Sequence, residues 1–207
     1  MPFFSFSQTQ ECATVPTQSQ IDYLTQTRSA RENWNGPEMI ISLPVQHHIV
    51  RETNGTGGLD PNDIPIIMGI MNTYYANANI SFFDCGTINY IDNSSYYNFD
   101  QSQESAVCGA NDVANVINIY YFNSVGNGSS SYCGYAYYPG GPDRVIMDNS
   151  CALNGSTLTH ELGHYLSLYH THNGSTGSNP ELVNGSNCTT AGDQLCDTPA
   201  DPTLSNS

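Results

Sequence analysis

Three histidines and a glutamate in the stretch His160-Glu161-Leu162-Gly163-His164-Tyr165-Leu166-Ser167-Leu168-Tyr169-His170 have the residue types and spacing of a catalytic metal site. Two histidines four apart stand one above the other on a helix face, so both imidazoles can reach one ion. Glu161 projects beside that face, where a carboxylate can take a proton from a metal-held water without occupying the metal. His170 is too far along to share a straight helix face with His164. It can join only if the helix ends near Ser167 and the chain turns back. Three nitrogen ligands and one open position make a catalytic zinc site, whereas a structural site is closed by four protein ligands.

The elements that must position these groups are legible around them. Asn154-Gly155-Ser156-Thr157 supplies helix-start signals, and Leu158, Leu162, Tyr165, Leu166 and Tyr169 form an apolar stripe at helical spacing. The bland alternative is a helix whose histidines only hydrogen-bond. The third histidine at a second fixed spacing counts against it.

The chain has 207 residues, enough for one domain with a real core. Its formal charge is -15, with four arginines and no lysine against nineteen acidic residues. Such a surface repels nucleic-acid phosphates and anionic membranes, so neither is an expected partner. No apolar run approaches the length of a membrane span. Seven cysteines (12, 85, 108, 133, 151, 188 and 196) are spread along the chain without a CxxC pair. In a Tyr-, Asn-, Ser- and Gly-rich sequence this spacing indicates disulfides and an oxidising compartment. Sequons at Asn54, Asn79, Asn93, Asn127, Asn154, Asn173, Asn184 and Asn187 fit a secreted protein, although an Asn/Ser-rich composition generates them freely. Met1–Phe6 lacks the basic start and length of a signal peptide. An odd cysteine count leaves one thiol without an internal partner, so an incomplete sequence is expected.

Residues 1–38 read as a polar N-terminal segment with a short helix over Ser19–Ala30, and 39–207 as the catalytic domain. Ile40–Val50 is a predicted strand containing His47 and His48. Adjacent strand residues face opposite sides, so these two histidines cannot share a site and are expected to be satisfied locally. Asp60-Pro61 begins a helix with Ile64, Ile67, Met68, Met71 and Tyr75 on one side, a core stripe. Short strands are expected at Ile80–Phe83 and Thr87–Ile91, followed by a polar loop over Asn93–Gln103. Val113–Phe122 is the strongest strand, with further strands at Tyr132–Tyr138 and Val145–Met147. This order indicates an α/β sandwich with a mixed sheet. The tail after His172 reads as loop.

Against this background the chain resembles the metzincin metalloproteases, and within them the pappalysin and cytophagalysin family. The segments Val116-Ile117-Asn118-Ile119-Tyr120, Gly134-Tyr135-Ala136-Tyr137-Tyr138-Pro139, Thr157–His164 and Leu168-Tyr169-His170-Thr171 carry the resemblance. So does the downstream signature Gly192-Asp193-Gln194-Leu195-Cys196-Asp197-Thr198-Pro199-Ala200. It spans Cys12 to Pro202, with the specific motifs in the second half.

The resemblance implies a zincin-like α/β (α+β) fold, a mixed twisted sheet packed on a backing helix and an active-site HExxH helix. It implies His160, His164 and His170 as zinc ligands and Glu161 as general base. The activity implied is that of a secreted zinc endopeptidase acting on protein or peptide substrates through a zinc-bound water. Tyr132–Tyr138 would be the edge strand that pairs with an extended substrate. Asp193 and Thr198 would hold calcium, the other reading being an Asx-turn without an ion.

The sequence departs from the family in two places. Ser167 stands where metzincins usually have a glycine in a φ > 0 conformation, at a cost on the order of 1 kcal/mol. The methionine-containing turn that floors the family's zinc site is absent before Ser207, so the C-terminal subdomain is expected to be truncated. A cysteine partner of Cys188 or Cys196 would be lost with it. Cys133–Cys151 and Cys85–Cys108 are candidate bridges, though seven cysteines permit too many pairings for the sequence to select any. Competing readings are a non-catalytic zinc-stabilised binding or adhesion module, an inactive protease fragment, and a zinc protease with Glu181 as an acidic third ligand. His172 is the alternative to His170, with a solvent-exposed neighbour the preferred expectation. Cys12 could be imagined as a blocking thiolate, with a disulfide the preferred expectation.

Overall fold

The computed structural model describes residues 10–32, 40–174 and 180–201. Parts of the N-terminal segment (1–9 and 33–38) and Pro202 lie outside the described residues. The chain divides into two units, Met1–Tyr165 and Leu166–Ser207.

The first unit is built on a nine-stranded mixed sheet. Its strands are β1 (Gln10–Cys12), β2 (Ile41–Arg51), β3 (Ile80–Asp84), β4 (Asn89–Asp92), β5 (Asn98–Asp100), β6 (Ile117–Phe122), β7 (Ser124–Gly126), β8 (Ser131–Ala136) and β9 (Arg144–Asp148). The main path runs β3-β2-β6-β9-β8-β7-β5. β3 and β4 pair in succession with the same β2 strand. From β3 to β9 neighbours are parallel, and β8 then runs antiparallel to both β9 and β7. The helices are α1 (Gln18–Glu32), α2 (Ile64–Tyr75), α3 (Ser94–Tyr97), α4 (Glu104–Val107) and α5 (Thr157–Tyr165).

β6 is central, parallel on both sides and buried throughout, which explains its unbroken apolar run. Ile117, Ile119 and Tyr121 join Ile67, Met71, Leu158 and Leu162 in one core cluster. Tyr120 and Phe122 join Phe99, Val107 and Tyr135 in another, as strand alternation requires. The predicted Met/Ile stripe of α2 is core.

β6 begins later than predicted, at Ile117. Asn115 takes φ 63, and the Asn118 carboxamide binds both the N–H and C=O of Val113 at 2.8 and 3.0 Å, curling residues 113–116 into a loop. The expected loop over Asn93–Gln103 is ordered structure instead. Asn93 caps α3 through Ser95 N–H, and Asp100 forms a capping box with Gln103. His47 bonds Tyr121 and Asp84, while His48 bonds Asn118 and Asn89 and stacks on Tyr120, so both are satisfied structural histidines.

Tyr132–Tyr138 is not a free edge. β8 has β7 and then β9 along one side, and its other side is taken, in parallel register, by β1 (Gln10 opposite Tyr132, Cys12 opposite Gly134). Three polar residues are too few to announce a strand by periodicity, and their partner lies over a hundred positions away.

Cys133–Cys151 is a disulfide. Cys85 and Cys108 are both free, so the second candidate bridge does not form. Burial and distance in the sheet, not sequence spacing, decide this pairing: Cys108 is enclosed while Cys85 is exposed.

The described residues of the second unit form a chain of turns tied by a Cys188–Cys196 disulfide, so neither cysteine needs a partner beyond the chain. Gly192 has φ +60, and a Cβ there would lie 2.0 Å from Glu181 Oε2, so only glycine fits. Glu181 is buried against this turn.

Candidate metal and catalytic site

Helix α5 presents the site. Asn154 caps it: Oδ1 accepts from Ser156 N–H and Thr157 N–H, and Nδ2 donates to Thr157 Oγ1. Leu158 and Leu162 bury one face in the core, and the Tyr75 hydroxyl ties α5 to α2 by donating to Thr159 O at 2.8 Å. The helix can lie this close to β8 because position 134 is glycine. A Cβ on Gly134 would meet Ile146 O at 2.7 Å, Met147 Sδ at 2.8 Å and Glu161 Cγ at 3.5 Å.

His160 and His164 project together, with Nε2 atoms 3.0 Å apart and rings nearly perpendicular. His160 is exposed and His164 is 2% exposed. Nδ1 of His164 lies 3.2 Å from the buried Tyr138 hydroxyl. With Nδ1 as the protonated nitrogen, Nε2 turns its lone pair towards His160.

Glu161 is completely buried. Its Oε2 accepts from Thr14 Oγ1 at 2.9 Å and from Cys12 Sγ at 3.4 Å, whereas Oε1 makes no hydrogen bond. Burial pushes its pKa up to about 7, with the Cys12 and Thr14 hydrogen bonds and the nearby Ala136 amide opposing the shift. Burial, then the Glu161 charge, pushes the Cys12 thiol up to about 12. The ligand atoms of Cys12, His160 and His164 lie within 4.8 Å of one another. Two convergent imidazole nitrogens with a thiol sulfur in reach are a donor set that fits zinc.

In the second unit, Ser167 takes the left-handed conformation expected at the glycine-like position, φ 87. His170 is half-buried, stacks on His172 at 4.7 Å and accepts from Asn173 N–H through its carbonyl. Asp193 is occupied on both oxygens, Oδ1 by Leu195 N–H and Oδ2 by the Thr198 hydroxyl at 2.7 Å. This is the geometry of an Asx-turn, and calcium is not supported there. Nothing local in the sequence marks Thr14, Gly134 and Tyr138 as site residues; the Gly134–Pro139 segment carries only a family likeness.

The cluster is one that could hold a metal ion, and comparisons with known proteins give the class of protein. The profile of peptidase family M43, pregnancy-associated plasma protein-A, matches residues 100–206. The chain belongs to this metzincin-type family. An extracellular metalloprotease of Verticillium alfalfae is 26% identical over 185 residues, covering 79% of this chain and 60% of that protein. One of Podospora anserina is 28% identical over 189 residues, covering 80% and 58%. The chain therefore spans about 60% of the length of these relatives. Among solved structures, metalloproteinase-II of Bacteroides fragilis aligns at 14% identity and TM-score 0.37 over 66% of this chain and 45% of that one.

Proposed function

We infer that the chain is the catalytic part of a secreted zinc endopeptidase, with residues 39–207 as its catalytic domain and 1–38 as an N-terminal segment. The observation that carries this is Glu161, a wholly buried carboxylate with one oxygen free of hydrogen bonds, next in the chain to the first of two converging imidazoles. A purely structural metal site has no use for such a base. His160, His164 and His170 would hold the zinc. Bound there, zinc supplies Lewis acidity that activates water and polarises a peptide carbonyl.

The protein's own residues do the rest. Glu161 accepts the water's proton and returns it to the departing amine nitrogen. Tyr138 holds His164 in one ring orientation. Secretion is supported by the names of the extracellular relatives and by two disulfides. No helix among the described residues is long and apolar enough to cross a membrane. Calcium forms no part of this reading, because Asp193 and Thr198 satisfy each other.

The test is cleavage of an unfolded, dye-labelled protein by zinc-loaded chain, with Glu161→Ala as control. The mutant should lose about 10²–10⁴-fold in rate, as for removal of a general base. Equal rates would refute the role of Glu161. Zinc-dependent stability without cleavage by either chain would favour the binding-module reading.

A further inference from the structure

Successive side chains at the end of β8 reach opposite faces of the sheet. Tyr135 and Tyr137 join the cluster of Val107, Tyr120 and Phe122, on the face away from α5. Tyr138 lies on the α5 side, with its hydroxyl at Nδ1 of His164.

Behind the sheet the two tyrosines meet a buried carboxylate. Oε2 of Glu104 accepts from the Tyr135 hydroxyl at 2.5 Å and from the Tyr137 hydroxyl at 2.7 Å, and Oε1 accepts from Arg144 Nη1 at 2.8 Å. Glu104 is 7% exposed and Arg144 8%. Asp112 takes the other guanidinium nitrogen. Glu104 opens α4 directly after the capping box of Asp100 and Gln103, which fixes its backbone.

Tyr137 and Arg144 are the two ends of the connection from β8 to β9. One carboxylate thus grips both ends, one with each oxygen. Between them lies Pro139-Gly140-Gly141-Pro142, whose two glycines loosen the backbone. The same connection touches α5 twice. Tyr138 reaches His164 at 3.2 Å, and Asp143 Oδ1 accepts from the Tyr165 hydroxyl at 2.9 Å. A buried ion pair adds little net stability over apolar packing, because both charges leave water, but it can fix a geometry.

We propose that Glu104 is a positioning residue of the metal site, a clasp behind the sheet that holds both ends of the 137–144 connection and through it sets Tyr138 against His164. This rests on the reading of His160 and His164 as zinc ligands. The carboxylate touches neither metal nor substrate; it acts only through the strap it closes.

The test is the zinc affinity of the full 207-residue chain, measured by competition with a chelator. Glu104→Ala strands the Arg144 charge in the interior and threatens the fold, so the clasp is opened at Tyr137 instead. Tyr137→Phe should weaken zinc binding about tenfold, the low end for partners outside the ligand set. Tyr135→Phe takes a hydroxyl from the same carboxylate but lies within β8, held by its pairing with Ile146, and should leave affinity unchanged. In a Tyr138→Phe background the loss at Tyr137 should vanish, because the path to His164 is already cut. Equal losses in the two single variants, no loss at Tyr137, or the same loss in both backgrounds would each overturn the proposal. Cleavage of a dye-labelled unfolded protein reports separately on the peptidase reading. The expected affinity pattern without cleavage by wild type would uphold the clasp and count against that reading. A wild-type chain that takes no zinc would overturn both.

Discussion

The Tyr138 hydroxyl lies 3.2 Å from Nδ1 of His164, deep under the helix that carries the imidazole pair. Both side chains are almost fully buried, 2% exposed each. The phenol fixes which nitrogen of His164 faces His160. Tyr138→Phe keeps the ring packing and removes that orienting oxygen. Zinc affinity should fall about 10- to 100-fold, measured by competition with a chelator. Unchanged affinity would mean that packing alone sets the ring.

Gly134 lies where β8 faces the helix that carries Glu161. Gly134→Ala places a methyl against Ile146 O, a sheet carbonyl that cannot retreat alone. The variant should lose about 1–3 kcal/mol by overpacking, read from urea unfolding. A neutral result would show that α5 can shift away, and zinc affinity would then fall instead.

Metal-free chain should respond to pH through Glu161. Its folded pKa of about 7 lies above the ordinary 4.5, so the folded state binds this proton more tightly. The resulting stability is fully present below pH 4.5 and is lost as pH rises through 7. Glu161→Gln carries no such proton. Its stability advantage over wild type should grow by on the order of 3 kcal/mol between pH 4.5 and 8. A constant difference across that range would contradict the burial of the charge.

His48 acts in the opposite direction. Burial holds its protonation below the ordinary 6.5, with Asn118 and Asp112 opposing. A depressed pKa contributes stability that is present above pH 6.5 and lost as pH falls through the folded value. Between pH 7 and 5, the urea midpoint of wild type should therefore drop further than that of His48→Gln. Parallel curves would place the acid sensitivity elsewhere.

The parts of this molecule legible in the sequence are those written in local periodicity. The Ile64–Met71 stripe, the apolar run of β6 and the helix start at Asn154 each declare themselves within a dozen residues. The positive φ of Ser167 was legible only through the family resemblance, which puts a glycine there. What escaped was long-range. β1 acquires meaning only beside β8, and Thr14 only beside Glu161, 147 positions later. The buried ion pair of Glu104 and Arg144, to which Tyr135 and Tyr137 donate, is likewise a product of sheet order. Asn93 and Asp100 gave a polar composition that reads as loop, although their side chains were capping short helices.

The cap on α5 also bears on how this surface could carry sugar. A glycan attaches to asparagine Nδ2, leaving that nitrogen one N–H and a bulky substituent. Asn154 already uses Nδ2 on Thr157, as Asn127 does on Tyr132, Asn173 on Gly192 and Asn187 on Pro180. Asn54, Asn93 and Asn184 instead engage the carboxamide oxygen, each with a backbone N–H two residues on. Sequons that look alike in the sequence are thus of two kinds in the fold. One kind holds its nitrogen inward as mortar, and the other holds it by the oxygen and leaves the nitrogen as the point of attachment.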